Sequence, residues 1–237
     1  MTEPAPRKSD LGVRVASAVV MVAVAGTALW FGGWVWAAFV TSVSLGVLWE
    51  WSKLVLLLER RTAARLVWMV GGFLYVGLGA IVLAVLRFDL IGSVLALLIL
   101  GGVVCVDVGA YFAGRTVGGP KIAPMISPSK TWAGLGGGAT AATAFLWFVP
   151  AQPLEGHALA FIVGPVLASI AQAGDFFESW MKRVAGVKDS SNLIPGHGGL
   201  FDRVDGLLAV CFVIGLGGVF LTASTLLSGG ELLPTPA

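Results

Sequence analysis

The sequence predicts an all-α, polytopic membrane protein, and three observations carry that prediction. Of its 237 residues, 57% are apolar and only 12% are charged. The apolar residues fall into seven runs suited to crossing a bilayer, which takes roughly 20 residues per helix. The basic residues cluster in alternate connections between those runs. Because charged residues normally dominate a soluble surface, a soluble enzyme, a disordered tail and a disulfide scaffold are excluded.

Seven apolar runs are candidates for membrane-spanning helices. They are Val13–Phe31, Trp34–Trp51, Leu66–Leu86, Leu90–Ala113, Trp132–Val149, Ala158–Ala173 and Val204–Leu221. Six or eight spans are the alternatives, because the ends of such runs are defined only to within several residues. No repeat with a period of about 20–50 residues is visible, and no soluble domain fits between the runs. We therefore expect one integral membrane domain, 1–237, that begins with a polar cytoplasmic segment, 1–12.

The distribution of lysine and arginine predicts the orientation, since basic residues favour cytoplasmic connections. Fourteen of the 15 basic residues lie in the N-terminal segment or in the second, fourth and sixth connections, and Arg87 alone lies on the other side. A wrong helix count would scramble this alternation. It predicts a cytoplasmic N-terminus and an external C-terminus in a bacterial inner membrane. The net charge of +2 is too small to indicate nucleic-acid binding.

The end of the fourth run carries the first candidate functional residues. Asp107, Tyr111, Gly114 and Arg115 are spaced so that they share one helical face. A carboxylate close to hydrocarbon is costly and indicates a functional site. The alternative is that Asp107 and Arg115 form an ion pair that only caps the helix.

The connection after this helix has the composition of an anion site. It contains Ser127, Ser129, Lys130 and Thr131 and opens directly into the fifth predicted helix, whose N-terminal amides and dipole favour an anion. The spacing of a P-loop is absent. The alternative is that Ser129 is a simple helix cap and Lys130 a membrane anchor.

The cytoplasmic end of the sixth predicted helix carries a polar stripe. Asp175, Glu178, Ser179 and Lys182 recur at helical spacing and lie on one face. Two carboxylates one turn apart can hold a hard cation through oxygen, and Mg²⁺ usually binds through one or two carboxylates together with substrate phosphates. This stripe therefore predicts a magnesium and phosphate site.

A second acidic pair, Asp202 and Asp205, opens the seventh run. Either carboxylate alone could be a first-turn acid that complements the helix dipole. Two acidic pairs at one membrane surface favour a functional site instead. His197, between glycines, is interpreted as a phosphate ligand or proton carrier, with an ordinary turn residue as the alternative. The basic residues beside these acids are Lys182, Arg183, Lys188 and Arg203.

The stretch from Ser179 to Asp205 resembles the signature of phosphatidate cytidylyltransferases, the CDP-diacylglycerol synthases. The pattern S-x-x-K-R-x4-K-D, followed by P-x-H-G-G-x-x-D-R-x-D, is met at every position. Two further blocks of that family are similar to 107–115 and 126–132, so the resemblance covers 107–206. One position departs, because many members carry Glu or Gln where this chain has Ala133.

The resemblance implies that a cytidylyl group passes from CTP to phosphatidate, giving CDP-diacylglycerol and pyrophosphate, within a catalytic region at 107–206. The residues assigned to catalysis are Asp175, Lys182, Arg183, Lys188, Asp189, His197, Asp202, Arg203 and Asp205. Those assigned to substrate binding are Asp107, Tyr111, Arg115, Ser127, Ser129, Lys130, Thr131 and Ser179. The expected ligands of one magnesium ion, or of two, are Asp175, Glu178, Asp202 and Asp205.

Three other functions are alternatives. A related CTP-dependent lipid enzyme, such as a polyprenol kinase or an ether-lipid cytidylyltransferase, would share the chemistry but not the full signature. An ion-coupled transporter would place acidic groups at mid-membrane and often shows internal repeats. A structural scaffold would not need the clustered ionisable groups. The small residues Gly134–Gly138 permit close helix packing within the chain or between two copies, so a homodimer is left open.

Overall fold

The computed structural model describes residues 11–149 and 157–228 and confirms the polytopic helical architecture. Its seven helices within those ranges are α1 (Leu11–Phe31), α2 (Gly33–Leu58), α3 (Thr62–Val85), α4 (Leu90–Thr116), α5 (Trp132–Phe148), α6 (Ala160–Val184) and α7 (Phe201–Leu227). Six of them are long and apolar enough to cross a membrane, whereas α5 has 17 residues. Residues 1–10 of the expected N-terminal segment lie outside the described ranges.

Helix α6 differs most from its predicted span. The apolar run ends at Ala173, but the helix continues to Val184. The extension is possible because the polar residues after Ala173 recur at helical spacing, so they occupy one face while Phe177 and Trp180 keep contact with the apolar core. The sixth span therefore extends beyond its predicted end and carries the polar stripe as part of the same helix.

The connection between α4 and α5 contains a β-hairpin that the sequence did not predict. Strand β1 (Lys121–Ala123) pairs antiparallel with β2 (Ser127–Thr131). The hairpin leads directly into α5, where the Thr131 hydroxyl accepts a hydrogen bond from the Gly134 amide at 3.0 Å. The helix cap is thus Thr131, and the alternative that assigned this role to Ser129 is wrong.

Helices α4 and α5 pack backbone against backbone. A Cβ added at Gly109 would lie 2.5 Å from the carbonyl oxygen of Gly137, and one added at Gly138 would lie 2.9 Å from that of Val106. Small residues allow such close approach in membrane helices. Within the described residues, this glycine stripe packs α5 against α4 inside one chain.

An aromatic cluster joins α2, α3, α6 and α7. Trp51 is 2% exposed, its ring packs against Tyr75, Phe177 and Phe201, and its indole N–H donates to the Trp68 carbonyl at 2.9 Å. Burial of such large rings is a major source of stability. The cluster fixes the position of α6 relative to α7, whose polar ends lie directly beyond it.

Arg87, the one basic residue outside the four basic segments, joins two helix connections at the opposite end of the bundle. Its Nη2 atom donates to the Leu29 carbonyl at 2.5 Å, and its own carbonyl accepts from the Gly33 amide at 3.0 Å. The link between α1 and α2 turns sharply, with φ of 62° at Gly32 and 47° at Gly33, which glycine adopts readily. Arg87 therefore satisfies backbone groups that this turn leaves open.

Candidate active site

The predicted functional residues converge where the C-terminal ends of α4 and α6 meet the hairpin and the start of α7; we call this the polar end. The first contact there is an ion pair between Lys130 of β2 and Asp175 of α6. Both side chains are largely buried, at 25% and 15% exposed. The pair brings the anion-site segment and the polar stripe together.

A second lysine joins α6 to α7. The Nζ atom of Lys182 lies 2.6 Å from Glu178 Oε2 and 2.5 Å from Asp202 Oδ1. Glu178 sits one turn earlier on α6, so the stripe itself supplies one of the two partners. The three side chains are buried together, and their ammonium and carboxylate groups are held in fixed positions by one another.

The second oxygen of Asp202 is bound by the loop between α6 and α7. Its Oδ2 accepts from the Ser190 amide at 3.0 Å, the Ser190 hydroxyl at 2.9 Å and the Gly199 amide at 2.8 Å. Backbone donors of this kind hold a carboxylate ionised and in one orientation. Asp202 therefore links the loop, α6 and α7 at a single group.

A buried carboxylate that sequence reasoning missed, Glu50 of α2, lies behind this loop. It is 0% exposed and accepts from the Ser191 hydroxyl at 2.5 Å, the Leu200 amide at 2.9 Å, the Phe201 amide at 2.7 Å and the Ser190 hydroxyl at 2.9 Å. The one available signal was a lone carboxylate within an apolar span, which is a functional indicator in its own right.

Asp175 of α6 and Asp205 of α7 lie where these two helices pack closely against each other. Asp205 Oδ1 accepts from the Gly206 amide at 2.9 Å. A Cβ added at Gly206 would lie 3.3 Å from Asp175 Oδ1, so the glycine admits the carboxylate. Both predicted acidic pairs, Asp175 with Glu178 and Asp202 with Asp205, thus reach the polar end from neighbouring helices.

The carboxylates at the polar end have the chemistry of partial magnesium ligands. In the described part of the chain, no group of three or more His, Cys, Asp or Glu side chains is arranged to hold a metal ion by itself. Magnesium commonly takes only one or two carboxylates and completes its shell with phosphates and water. Among the described residues, Glu178 Oε1 is buried and has no hydrogen-bond donor, so it is an acceptor that a bound cation would satisfy.

A cavity of about 380 Å³ opens beside the Lys130–Asp175 pair. It is lined by Asp107, Tyr111, Gly114 and Arg115 of α4, Ser129, Lys130 and Thr131 of β2, Gly134 of α5 and Gln172 of α6. Sequence reasoning missed Gln172, which is 4% exposed and whose amide makes no hydrogen bond within the described residues. Six of the eight residues assigned to substrate binding therefore line one cavity.

Two residues at the mouth of this cavity contact each other. Arg115 Nη1 donates to the Tyr111 hydroxyl at 3.1 Å. The ion pairs found in the described ranges do not include Asp107 with Arg115, so the capping alternative is wrong. Asp107 instead faces the cavity.

Lys130 connects the cavity to the carboxylates. Burial lowers the pKa of its ammonium, and the negative charges of Asp205, Asp107 and Glu178 oppose that effect. A partly buried lysine among carboxylates is a cation that an incoming phosphate can share. It is therefore the natural point of contact between a cavity-bound group and the acidic cluster.

The remaining assigned residues form no ion pair with the buried lysines and carboxylates of the polar end in the described part of the chain. His197 Nδ1 lies 2.8 Å from the Ser17 hydroxyl of α1, and its carbonyl accepts from Arg203 Nη2 at 2.7 Å. Arg183 Nε donates weakly to the Ile126 carbonyl at 3.4 Å. Lys188 and Asp189 are exposed, and Ser127 and Ser179 make no side-chain hydrogen bond in the described part of the protein.

Comparisons with known proteins identify the family to which the chain belongs. The profile of the cytidylyltransferase family matches residues 54–217. A phosphatidate cytidylyltransferase from Brucella melitensis is 33% identical over 89% of this chain and 94% of its own length. One from Brucella abortus is 33% identical over 93% and 97%, and one from Rickettsia bellii is 32% identical over 85% and 88%. The family match spans every assigned residue and begins just after Glu50.

Proposed function

The chain belongs to the cytidylyltransferase family, and from this premise we infer that it is the enzyme that makes CDP-diacylglycerol and pyrophosphate from CTP and phosphatidate. The observation that carries the inference is the likeness to phosphatidate cytidylyltransferases over nearly the whole length of both chains. The site supports the same inference. Lys130 pairs with one carboxylate and Lys182 with two, and such cations suit phosphoryl chemistry at the end of a membrane helix bundle.

The reaction needs positioning and charge neutralisation more than covalent catalysis. The phosphate of phosphatidate attacks the α-phosphorus of CTP, the bond to the β-phosphate breaks, and pyrophosphate leaves. A lipid phosphomonoester is already a competent nucleophile near neutral pH, so no enzyme-bound intermediate is required. Such transfers gain their rate chiefly from alignment and from cations placed around the phosphoryl oxygens.

The two paired lysines supply cations that are already in place. Lys130 is fixed by Asp175, and Lys182 is fixed between Glu178 and Asp202. Both ammonium groups can turn part of their hydrogen-bonding capacity to substrate phosphates without leaving their carboxylates. The other basic residues assigned to the triphosphate and pyrophosphate, namely Arg183, Lys188 and Arg203, follow Lys182 in the sequence.

The cavity beside Lys130 receives part of a substrate. Its volume of about 380 Å³ lies within the range of roughly 300–1,000 Å³ that is typical of small-molecule sites. Arg115, Ser129 and Thr131 suit a phosphate at the mouth, whereas Gln172 offers an amide donor and acceptor at the wall. This lining supports substrate binding by α4, β2 and α6 together.

Magnesium is the cofactor that the carboxylates suit best. Asp175 and Asp202 are the proposed ligands, with Glu178 and Asp205 in support, and the donor-free Glu178 Oε1 favours a cation there. When bound, the ion supplies positive charge to phosphoryl oxygens. The proposal covers one ion or two, since Asp175 and Asp202 belong to different helices.

The proposed location is a bacterial inner membrane with the polar end at the cytoplasmic face. Support comes from the basic residues, because the second, fourth and sixth connections carry nearly all of those in the described ranges. Water-soluble CTP then meets the phosphatidate headgroup at the surface where the acyl chains stay in the bilayer. Reporter fusions after Arg61 and after Arg87 test this orientation, and a cytoplasmic signal from the second would contradict it.

The reaction is tested with purified protein in detergent. CTP, Mg²⁺ and phosphatidate are each omitted in turn while pyrophosphate release and CDP-diacylglycerol are measured. Release that needs both substrates supports the proposed function, and dependence on Mg²⁺ supports the cofactor. Release of CDP with a lipid alcohol, and no reaction with phosphatidate, would instead make the protein a CTP-dependent lipid kinase.

A further inference from the structure

Glu50 is a buried anion that is satisfied entirely by donors of one loop and one helix start. It takes part in none of the ion pairs formed by the described residues, yet it is 0% exposed. A buried charge without compensation is very unfavourable. The compensation here comes from two serine hydroxyls and from the amides of Leu200 and Phe201 at the start of α7, where the helix dipole also favours an anion.

From these contacts we propose that Glu50 is a positioning residue for the transfer reaction, which fixes the loop before α7 so that Asp202 meets Lys182 in one geometry. The proposal rests on the proposed function. Glu50 touches none of the cavity-lining residues, so it acts through other groups. Its influence passes through Ser190, whose hydroxyl also contacts Asp202, through Ser191, and through the amides of Leu200 and Phe201 that directly precede Asp202.

The link between the two carboxylates is the Ser190 hydroxyl. Its oxygen lies 2.9 Å from Glu50 Oε2 and 2.9 Å from Asp202 Oδ2. A hydroxyl carries one proton, so its donation is divided between the two acceptors. When Asp202 engages a cation or a substrate-bound group, the Ser190 hydroxyl can donate its hydrogen bond to Glu50 alone, and Asp202 keeps its two amide donors.

The packing around Gly199 shows how closely this arrangement is built. A Cβ added there would lie 2.6 Å from Glu50 Oε1 and 2.7 Å from Oε2, and it would collide with the Ser190 hydroxyl. A Cβ atom does not approach a non-bonded oxygen this closely, so a side chain at this position would displace Glu50 or the loop. The second glycine of the His197–Gly199 stretch therefore has a physical role, which is to admit the carboxylate from α2.

The test compares Glu50→Gln and Glu50→Asp with Glu59→Gln, a matched control at the exposed end of the same helix. CDP-diacylglycerol formation by the full-length protein gives kcat and both KM values, and thermal unfolding reports the fold. We expect Glu50→Gln to lower kcat by about tenfold or more, because an amide cannot accept from all four donors. The KM for phosphatidate should stay near that of the control, and Glu50→Asp should recover part of the loss.

Ser191→Ala keeps the test decisive if Glu50→Gln fails to fold, because it removes a single donor from Glu50. A folded Ser191→Ala protein with kcat lowered by about threefold supports the proposal, and one with unchanged kcat overturns it. Equal kcat in folded Glu50→Gln and Glu59→Gln also overturns it.

Failure of the proposed function is recognised separately, since the wild-type protein would then make no CDP-diacylglycerol. Amide hydrogen exchange across 187–201 tests positioning without the reaction. Faster exchange there in Glu50→Gln than in Glu59→Gln is the expected result, and equal exchange would contradict the proposal.

Discussion

Lys182 of α6 and Asp202 of α7 form a buried ion pair, with 2.5 Å between Nζ and Oδ1. The same ammonium lies 2.6 Å from Glu178 Oε2, and the exposed fractions of the Lys182 and Glu178 side chains are only 12% and 1%. One cation therefore balances two carboxylates at the junction of two helices. Its removal leaves both anions without a counter-charge.

Replacing Lys182 with methionine is expected to destabilise the protein and abolish activity. Breaking a buried ion pair by removing one partner typically costs about 3–5 kcal/mol, because the remaining charge is left uncompensated. The double variant Lys182→Met with Glu178→Gln should regain part of this stability but no activity. Thermal unfolding in detergent, alongside CDP-diacylglycerol formation, checks both. A single variant as stable as the wild type would contradict the buried-triad interpretation.

Asparagine in place of Asp175 or Asp202 is expected to remove nearly all turnover while the protein stays folded, a loss of about 10²-fold or more if charge at the site stabilises the transition state. Asp89→Asn is the matched control. Asp89 caps α4 at the opposite end, accepting from the Gly92 amide at 2.7 Å, and asparagine caps helices about as well as aspartate. Normal turnover in either site variant would show that its carboxylate is not a ligand of a required cation.

The helical fold was predictable because hydropathy alone identifies the segments that can lie in the hydrocarbon of a bilayer. Runs of apolar residues must span the membrane as helices, since backbone groups have no other partner there. The hairpin at 121–131 was not predictable in this way, because its short strands carry no β-pattern of their own. The end of α6 lies beyond the apolar run, and it was predicted by the helical spacing of the polar stripe rather than by hydropathy.

The site was predictable where residues are close in sequence or carry a recognisable signature. Glu178 and Lys182 share a face by spacing alone, whereas the pairing of Lys130 with Asp175 is seen only in the folded chain. Glu50 and Gln172 were missed for a different reason. Each is a single polar residue within an apolar helix, and only the folded chain shows that one meets the loop before α7 and the other faces the cavity.

Adjacent glycines on α5 offer a matched test of the α4–α5 packing. A Cβ at Gly137 would lie 2.7 Å from the Gly109 carbonyl oxygen and would collide with the Ala113 side chain, whereas one at Gly136 would meet nothing within 4 Å. Gly137→Ala is therefore expected to lower the free energy of unfolding by about 1–3 kcal/mol, the usual cost of overpacking, and to reduce activity because the cavity lies between these helices. Gly136→Ala should change neither. Equal unfolding temperatures for the two variants would mean that α4 and α5 are not in such close contact.

The amide of Gln172 tests what the cavity binds. Gln172 is 4% exposed, and it faces a cavity with Asp107 and Lys130 in the lining. Loss of one hydrogen bond to a bound group typically costs about 0.5–1.5 kcal/mol, so Gln172→Leu is expected to raise one KM by about three- to tenfold with little change in kcat. Ser169→Ala is the control, since that exposed hydroxyl only bonds back to the Pro165 carbonyl of its own helix.

The substrate whose KM rises identifies the occupant of the cavity. A change for CTP alone assigns the cavity to the nucleotide, because the amide can pair with the hydrogen-bonding edge of cytosine. A change for phosphatidate alone assigns it to the lipid headgroup or its ester groups. Unchanged KM values for both substrates, in a variant that unfolds at the wild-type temperature, would contradict a substrate-binding role for this cavity wall.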